Sequence, residues 1–148
     1  MVATVRHSAS GASMEFSVTY EHLSGGITVV QVVGEVDVRR APRLREVLVA
    51  LVERRRVLLA VDLGRTVSVD STGLGVLVGS LKRVRAQRGG LVVVTRQDRV
   101  LGQFRASGLS RVFLIRPSVA QAVEVLAGIG PGRGERPRGP DGRPVGTG

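Results

Sequence analysis

The sequence contains no cysteine and no tryptophan in its 148 residues. Without cysteine there is neither a disulfide framework nor a thiolate nucleophile, a composition suited to a reducing compartment. Histidine is nearly as scarce: His7 and His22 are the only two, and neither has a partner at ligand spacing, so no metal site is expected. No apolar run approaches the ~18 residues of a membrane span. The opening MVATVRHSASGASMEF also lacks an apolar stretch of signal-peptide length. The expectation is a soluble, cytoplasmic protein that does not engage a membrane. Aromatic residues are 3% of the chain, confined to Phe16, Tyr20, Phe104 and Phe113. That removes the stacking platforms on which a single-strand binder depends.

What is present is aliphatic and basic. Residues are 43% hydrophobic, drawn mainly from Val, Leu, Ile and Ala, enough for one core of ordinary size. Net charge is +10, with 21 of the 22 basic residues Arg and Lys82 the single Lys. Between residues 14 and 127 there are 17 basic and 10 acidic side chains, a net +7. A surface of that charge raises the question of polyanions, but no specific nucleic-acid partner is expected from a chain so poor in aromatic residues.

Residues 1–13 are small and polar, and residues 128–148 are dominated by Gly, Pro and Arg; both ends are expected to be disordered around a domain at 14–127. Within it, FSVTYEHL and GITVVQVVGEVD read as two strands of a hairpin turning at Ser24, Gly25 and Gly26. Ala41-Pro42 opens a helix with Leu44, Val47, Leu48 and Leu51 on one face, ending near ERRR. VLLAVDL, residues 57–63, reads as a buried strand followed by a loop, GRTVSV. A second helix from Ser71 carries Leu74, Leu77, Val78, Leu81 and Val84 on one face. Lys82, Arg83, Arg85 and Arg88 gather at its C-terminal end, where the helix dipole favours cations. LVVVT, RVLGQFRASG, RVFLI and PSVAQAVEVLA then read as strand, helix, strand and helix. The order ββαβαβαβα predicts an α/β fold, a mixed sheet parallel in its later strands with helices packed on it.

Catalytic equipment is hard to find. Asp62 and Asp70 flank the GRTVSV loop, but no nucleophile, base or oxyanion device accompanies them. They read as a strand end and a helix cap, and the chain is not expected to be an enzyme or to need a cofactor. Gly73-x-Gly75-x-x-x-Gly79 is one residue too long for a dinucleotide fingerprint, and the strand before it is expected to end about ten residues upstream, despite Asp98 at a suggestive distance. The distinctive stretch is VDSTGLGVLVGS, residues 69–80. Asp70, Ser71 and Thr72 are helix-capping residues, yet three glycines follow at once, each costing about 0.8–1.0 kcal/mol in a helix relative to alanine. Either the glycines let the chain pack closely on itself, or they clear a surface for a partner's approach to the Ser71 and Thr72 hydroxyls. A phosphate at such a helix start would meet free N–H donors and the positive end of the dipole, while its charge would repel a docked partner.

Four separated pieces resemble one family. They are Gly34-Glu35-Val36-Asp37, Ala41-Pro42-Arg43-Leu44-Arg45-Glu46, Val69-Asp70-Ser71-Thr72-Gly73-Leu74-Gly75-Val76-Leu77-Val78-Gly79 and Ser107-Gly108-Leu109-Ser110-Arg111-Val112-Phe113. By these, residues 14–127 resemble a STAS domain of the anti-sigma factor antagonist (anti-anti-sigma factor) family. The resemblance implies a mixed four- to five-stranded sheet with helices largely on one side. It implies phosphorylation of Ser71 by an anti-sigma factor that is itself a serine kinase of GHKL type, and dephosphorylation by a PP2C-type phosphatase. The unphosphorylated form would capture the anti-sigma factor and release a sigma factor. Asp37 matches a position near the phosphorylation site, and Asp70, Thr72, Gly73 and Gly75 surround it in sequence, so these are the expected partner-binding residues. The alternative that the resemblance leaves is a STAS scaffold or sensor module that is not phosphorylated, with Ser71 acting mainly as a cap.

Overall fold

The computed structural model describes residues 4–8 and 16–129. Strands β1 (Thr4–Ser8), β2 (Ser17–His22), β3 (Ile27–Val36), β4 (Leu58–Val69), β5 (Gly90–Val94) and β6 (Leu114–Arg116) form one sheet in the order β1-β2-β3-β4-β5-β6. The first two pairings are antiparallel and the last three parallel. Helices α1 (Ala41–Glu53), α2 (Ser71–Ala86), α3 (Asp98–Ala106) and α4 (Val119–Ile129) make the crossovers and the close.

Alternation along the strands divides the apolar residues between two faces. Val30, Val32, Leu59, Val61, Leu91 and Val93 turn to one side, where they meet Leu44, Leu48 and Leu51 of α1, Leu77, Leu81 and Val84 of α2, and Val100 and Phe104 of α3. Ile27, Leu58, Ala60, Val92 and Val94 turn to the other and are covered by Ala122 and Leu126 of α4. Three helices on one side and one on the other is the α/β layering expected from the sequence, with both faces of β4 and β5 buried.

Four details depart from expectation. The stretch GRTVSV is not a loop but the second half of β4, which pairs with β3 as far as Val36 opposite Val69, with register shifts between Gln31 and Val33 and between Gly34 and Glu35. It remains strand because its inward polar groups are satisfied: the Thr66 hydroxyl donates to the Val32 carbonyl at 2.8 Å, and the Ser68 hydroxyl to Glu35 at 3.0 Å. Asp62 is therefore a mid-strand residue, accepting from the Gly64 N–H at 2.9 Å. The strand also ends at Val69, four residues before Gly73 rather than ten, so the dinucleotide reading fails on glycine spacing alone.

Secondly, Thr4–Ser8 pairs with β2, Thr4 opposite Glu21 and Ser8 opposite Ser17, inside the segment that composition predicts to be disordered. A sixth strand results, because backbone pairing at a sheet edge needs no apolar side chains. Thirdly, RVFLI is strand only from Leu114; before it, the N–H groups of Val112 and Phe113 both donate to the Leu109 carbonyl, extending a 3-10 turn. Finally, α4 runs to Ile129, two residues past the expected boundary at 127. The expectations for residues 1–3, 9–15 and 130–148 lie outside the described residues.

Candidate functional site

The site forms where β3 and β4 end. Val36 and Val69 lie opposite each other in register, and the Asp70 N–H donates to the Val36 carbonyl at 3.0 Å. Each strand is followed by an aspartate that organises a helix start. The Asp37 carboxylate accepts from the N–H groups of Arg39 and Arg40 at 3.1 and 3.0 Å and forms an ion pair with the Arg40 guanidinium at 2.9 Å. The Ala41 N–H donates to the Asp37 carbonyl, fixing the turn into α1, where Pro42 occupies a first-turn position. Desolvation pushes the Asp37 carboxyl up, but the Arg40 N–H, the Arg40 guanidinium and the Arg39 N–H outweigh it and hold it below the usual carboxylate range.

On the second strand, Asp70 is the N-cap of α2, its carboxylate accepting from the Gly73 N–H at 3.0 Å. Capping is thus done by Asp70 alone. Ser71 and Thr72 occupy the first helical positions, both exposed, and among the described residues the Ser71 hydroxyl has no hydrogen-bond partner. The N–H groups of this first turn and the dipole of the 16-residue helix point the same way.

The glycines divide. Gly73 is buried, and a Cβ there would stand 2.7 Å from both Val36 Cγ1 and Val69 Cγ1. It lets α2 start directly on the strand ends, the close packing that is one of the two readings of these glycines. Gly75 is exposed with nothing within 4 Å of a Cβ, and Gly79 would meet only the Arg83 guanidinium at 3.3 Å. An open approach is therefore left at Gly75, one helical turn from Ser71 on the same face of α2.

Sequence reasoning missed two contributors. The Gln103 side-chain carbonyl, on α3, accepts from the Val69 N–H at 2.8 Å and so ties a third helix to the strand end that carries the site. Val38 follows Asp37 with 62% of its surface exposed, an apolar side chain open to solvent in the turn between β3 and α1. Neither has a signal in the sequence, one being a lone amide on a helix and the other a lone valine in a turn. No group of three or more potential metal ligands occurs among the described residues. An open cleft of about 540 Å³ is lined by Thr19, Glu21, Val29, Gln31, Asp62 and Val119 on the sheet face that carries α4, and neither Asp37, Asp70 nor Ser71 borders it. No helix among the described residues is long and apolar enough to cross a membrane.

A family model for the STAS domain matches residues 22–122. Over 85 residues the chain is 36% identical to the anti-sigma-B factor antagonist of Listeria monocytogenes, covering 57% of this chain and 75% of that one. Over 83 residues it is 41% identical to the anti-sigma-B factor antagonist of Bacillus subtilis, covering 56% and 75%. The solved structure of the anti-sigma factor antagonist SpoIIAA in its unphosphorylated form superposes with a TM-score of 0.66 at 20% identity, over 75% of this chain and 96% of that one. The phosphorylated form of the same Bacillus protein gives 0.59 at 17% identity, over 73% and 97%. With the strand-end aspartates, the exposed Ser71 and the parallel part of the sheet all in the matched region, the chain belongs to the STAS domain family of anti-sigma factor antagonists.

Proposed function

We propose that this protein captures an anti-sigma factor on the surface around Ser71, thereby freeing a sigma factor, and that phosphorylation of Ser71 switches the capture off. The observation that carries this reading is the state of the Ser71 hydroxyl: exposed, unpartnered among the described residues, and relieved of capping by Asp70. A serine that capped its helix would lose that bond on modification; Ser71 has none to lose. Its phosphate would be received by the first-turn N–H groups and the helix dipole without disturbing the fold. The same charge would oppose a partner seated on Gly75 and Val38 and would stand near the two carboxylates, Asp37 and Asp70.

The kinase in this reading is the captured partner itself, an anti-sigma factor of GHKL type using ATP, and a PP2C-type phosphatase resets the switch. The protein contributes a substrate hydroxyl and a docking surface and performs no catalysis of its own. Thr72 is the neighbouring exposed hydroxyl, with Ser71 preferred because it stands directly after the capping aspartate. Incubation with a candidate anti-sigma kinase and ATP, followed by peptide mass spectrometry, tests the assignment. Phosphate on Ser71 is the expected result. Phosphate on Thr72 alone would move the acceptor, and stable binding without transfer would favour an unphosphorylated scaffold.

A further inference from the structure

The arginine runs near residues 55 and 85 come together at the end of the molecule opposite Ser71. Both α1 and α2 start at the carboxyl ends of their strands and run back along the sheet, packed against each other through the core. At 1.5 Å per residue, α2 carries the chain about 24 Å from Ser71. There the Gly90 N–H donates to the Val57 carbonyl at 2.8 Å, and a Cβ on Gly89 would collide with that same carbonyl. The turn after α2 therefore sits directly on the residue that follows Arg54, Arg55 and Arg56. Those three share this pole with Lys82, Arg85 and Arg88, with Glu53 the only carboxylate on residues 53–57 and 82–90, while the Arg83 guanidinium turns back over Gly79. None of these cations is ion-paired among the described residues, and the charges of Arg54 and Arg56 reach His22, where after desolvation they help to lower the imidazole pKa.

Two of the six at this pole are held in an unusual backbone state. Arg55 (φ 64°) and Arg88 (φ 63°) each stand in the left-handed region just beyond a helix end, the position that glycine fills most easily. Both are exposed, so no buried packing accounts for a side chain there. We propose that this pole is a non-specific binding surface for the phosphate backbone of duplex nucleic acid, leaving Ser71 at the far pole free to engage its partner. Phosphate contacts of this kind position a protein without reading sequence. A lipid surface fits less well, because the exposed large apolar side chains, Val38, Val67, Val112 and Leu114, all lie outside these two segments and offer the pole no insertion anchor. Single strands are disfavoured by the absence of any aromatic residue on them.

The test is fluorescence anisotropy of the full chain on a short random-sequence DNA duplex across a salt series, with the double variant R55G/R88G. Glycine suits both backbone positions, so the variant should melt no lower than the wild type and its binding will report charge rather than folding. The expected result is weaker binding at fixed salt and a log–log salt slope shallower by about 1.8, that is, about 0.9 for each phosphate no longer neutralised. Ser71→Asp should leave the duplex affinity unchanged. Unchanged affinity and slope in R55G/R88G would overturn the proposal, most clearly if R133Q/R136Q/R138Q/R143Q abolished binding instead. So would binding to phosphatidylserine vesicles with none to duplex.

Discussion

Val36 and Val69 face each other at the ends of two parallel strands, and the amide that follows the second, on Asp70, donates to the carbonyl of the first at 3.0 Å. That single bond makes Asp37 and Asp70 leave the sheet side by side, and each then starts a helix. In open α/β sheets, crevices for binding form where strands end; here that end carries the two helix-starting aspartates and the exposed Ser71, the surface proposed to receive the anti-sigma factor.

Gly73 and Gly75, two residues apart, should respond oppositely to alanine. At Gly73 the new methyl would press on Val36 and Val69 from 2.7 Å, and overpacking of this kind costs about 1–3 kcal/mol. At Gly75 the space is open, and alanine should stabilise the helix by up to about 1 kcal/mol. Thermal melts of Gly73→Ala and Gly75→Ala check both signs. Gly75→Leu should fold normally and bind the anti-sigma partner less well.

Ser80 gives an independent check on the packing of α2. Its hydroxyl is buried and has no hydrogen-bond partner among the described residues, while Leu77, Leu81 and Val84 belong to the core that α2 packs into. Removing an unsatisfied buried hydroxyl relieves its desolvation, about 1–3 kcal/mol, and alanine is the better helix former. Ser80→Ala should therefore raise the melting temperature by several degrees, and a fall would show that the hydroxyl is bonded.

Acid should weaken the fold through two groups acting over different ranges. Asp37 has its pKa lowered from 3.8 in the folded state, so the unfolded chain takes up its proton first. Its contribution is fully present above the unfolded value and is lost as pH falls through the lowered one. Asp37→Asn should flatten that part of the stability curve. His22, whose Nδ1 lies 2.9 Å from the Thr28 hydroxyl, is lowered from 6.5 by desolvation and then by Arg56 and Arg54. Here too the unfolded chain binds the proton more readily, so stability declines as pH drops below 6.5 towards the folded value. His22→Gln should reduce that decline, read from urea midpoints at stepped pH.

Much of this architecture was legible in the sequence because apolar periodicity marks it: Leu44, Leu48 and Leu51 on α1, Leu77, Leu81 and Val84 on α2, and the continuous run that became β5. The second half of β4 was hidden because its inward residues are Thr66 and Ser68, polar groups whose partners, Val32 and Glu35, lie over 30 residues away. The strand β1 escaped for a related reason, since edge pairing is a property of backbone. At the site, Asp70 and Ser71 could be named from local pattern, but their division of labour could not. Which oxygen caps the helix depends on the chain's direction off Val69. The burial of Gly73 likewise depends on two valines from different strands, a relation that no local window contains. Gln103 is the plainest case, an amide on α3 that accepts from Val69, a residue 34 positions earlier in the chain.

The role of Ser71 in stability should be small. Asp70 supplies the cap, so Ser71→Ala removes no described hydrogen bond and places a good helix former at an exposed first-turn position. Its melt should match the wild type within about 0.5 kcal/mol, whereas Asp70→Ala should lose about 0.5–2 kcal/mol with the cap. Equal losses would mean that the serine shares the capping.

Whether charge at Ser71 alone decides partner capture is measured most directly by calorimetric titration of the anti-sigma factor into three forms of the protein. These are the unmodified chain, the chain quantitatively phosphorylated at Ser71, and Ser71→Ala, the last also carried through ATP treatment. Tight binding is expected of the unmodified form, with at least about a hundredfold loss in the phosphorylated form, equivalent to about 2.7 kcal/mol. Binding by Ser71→Ala should be unchanged by ATP. Equal affinity of the phosphorylated and unmodified forms would contradict a switch at Ser71.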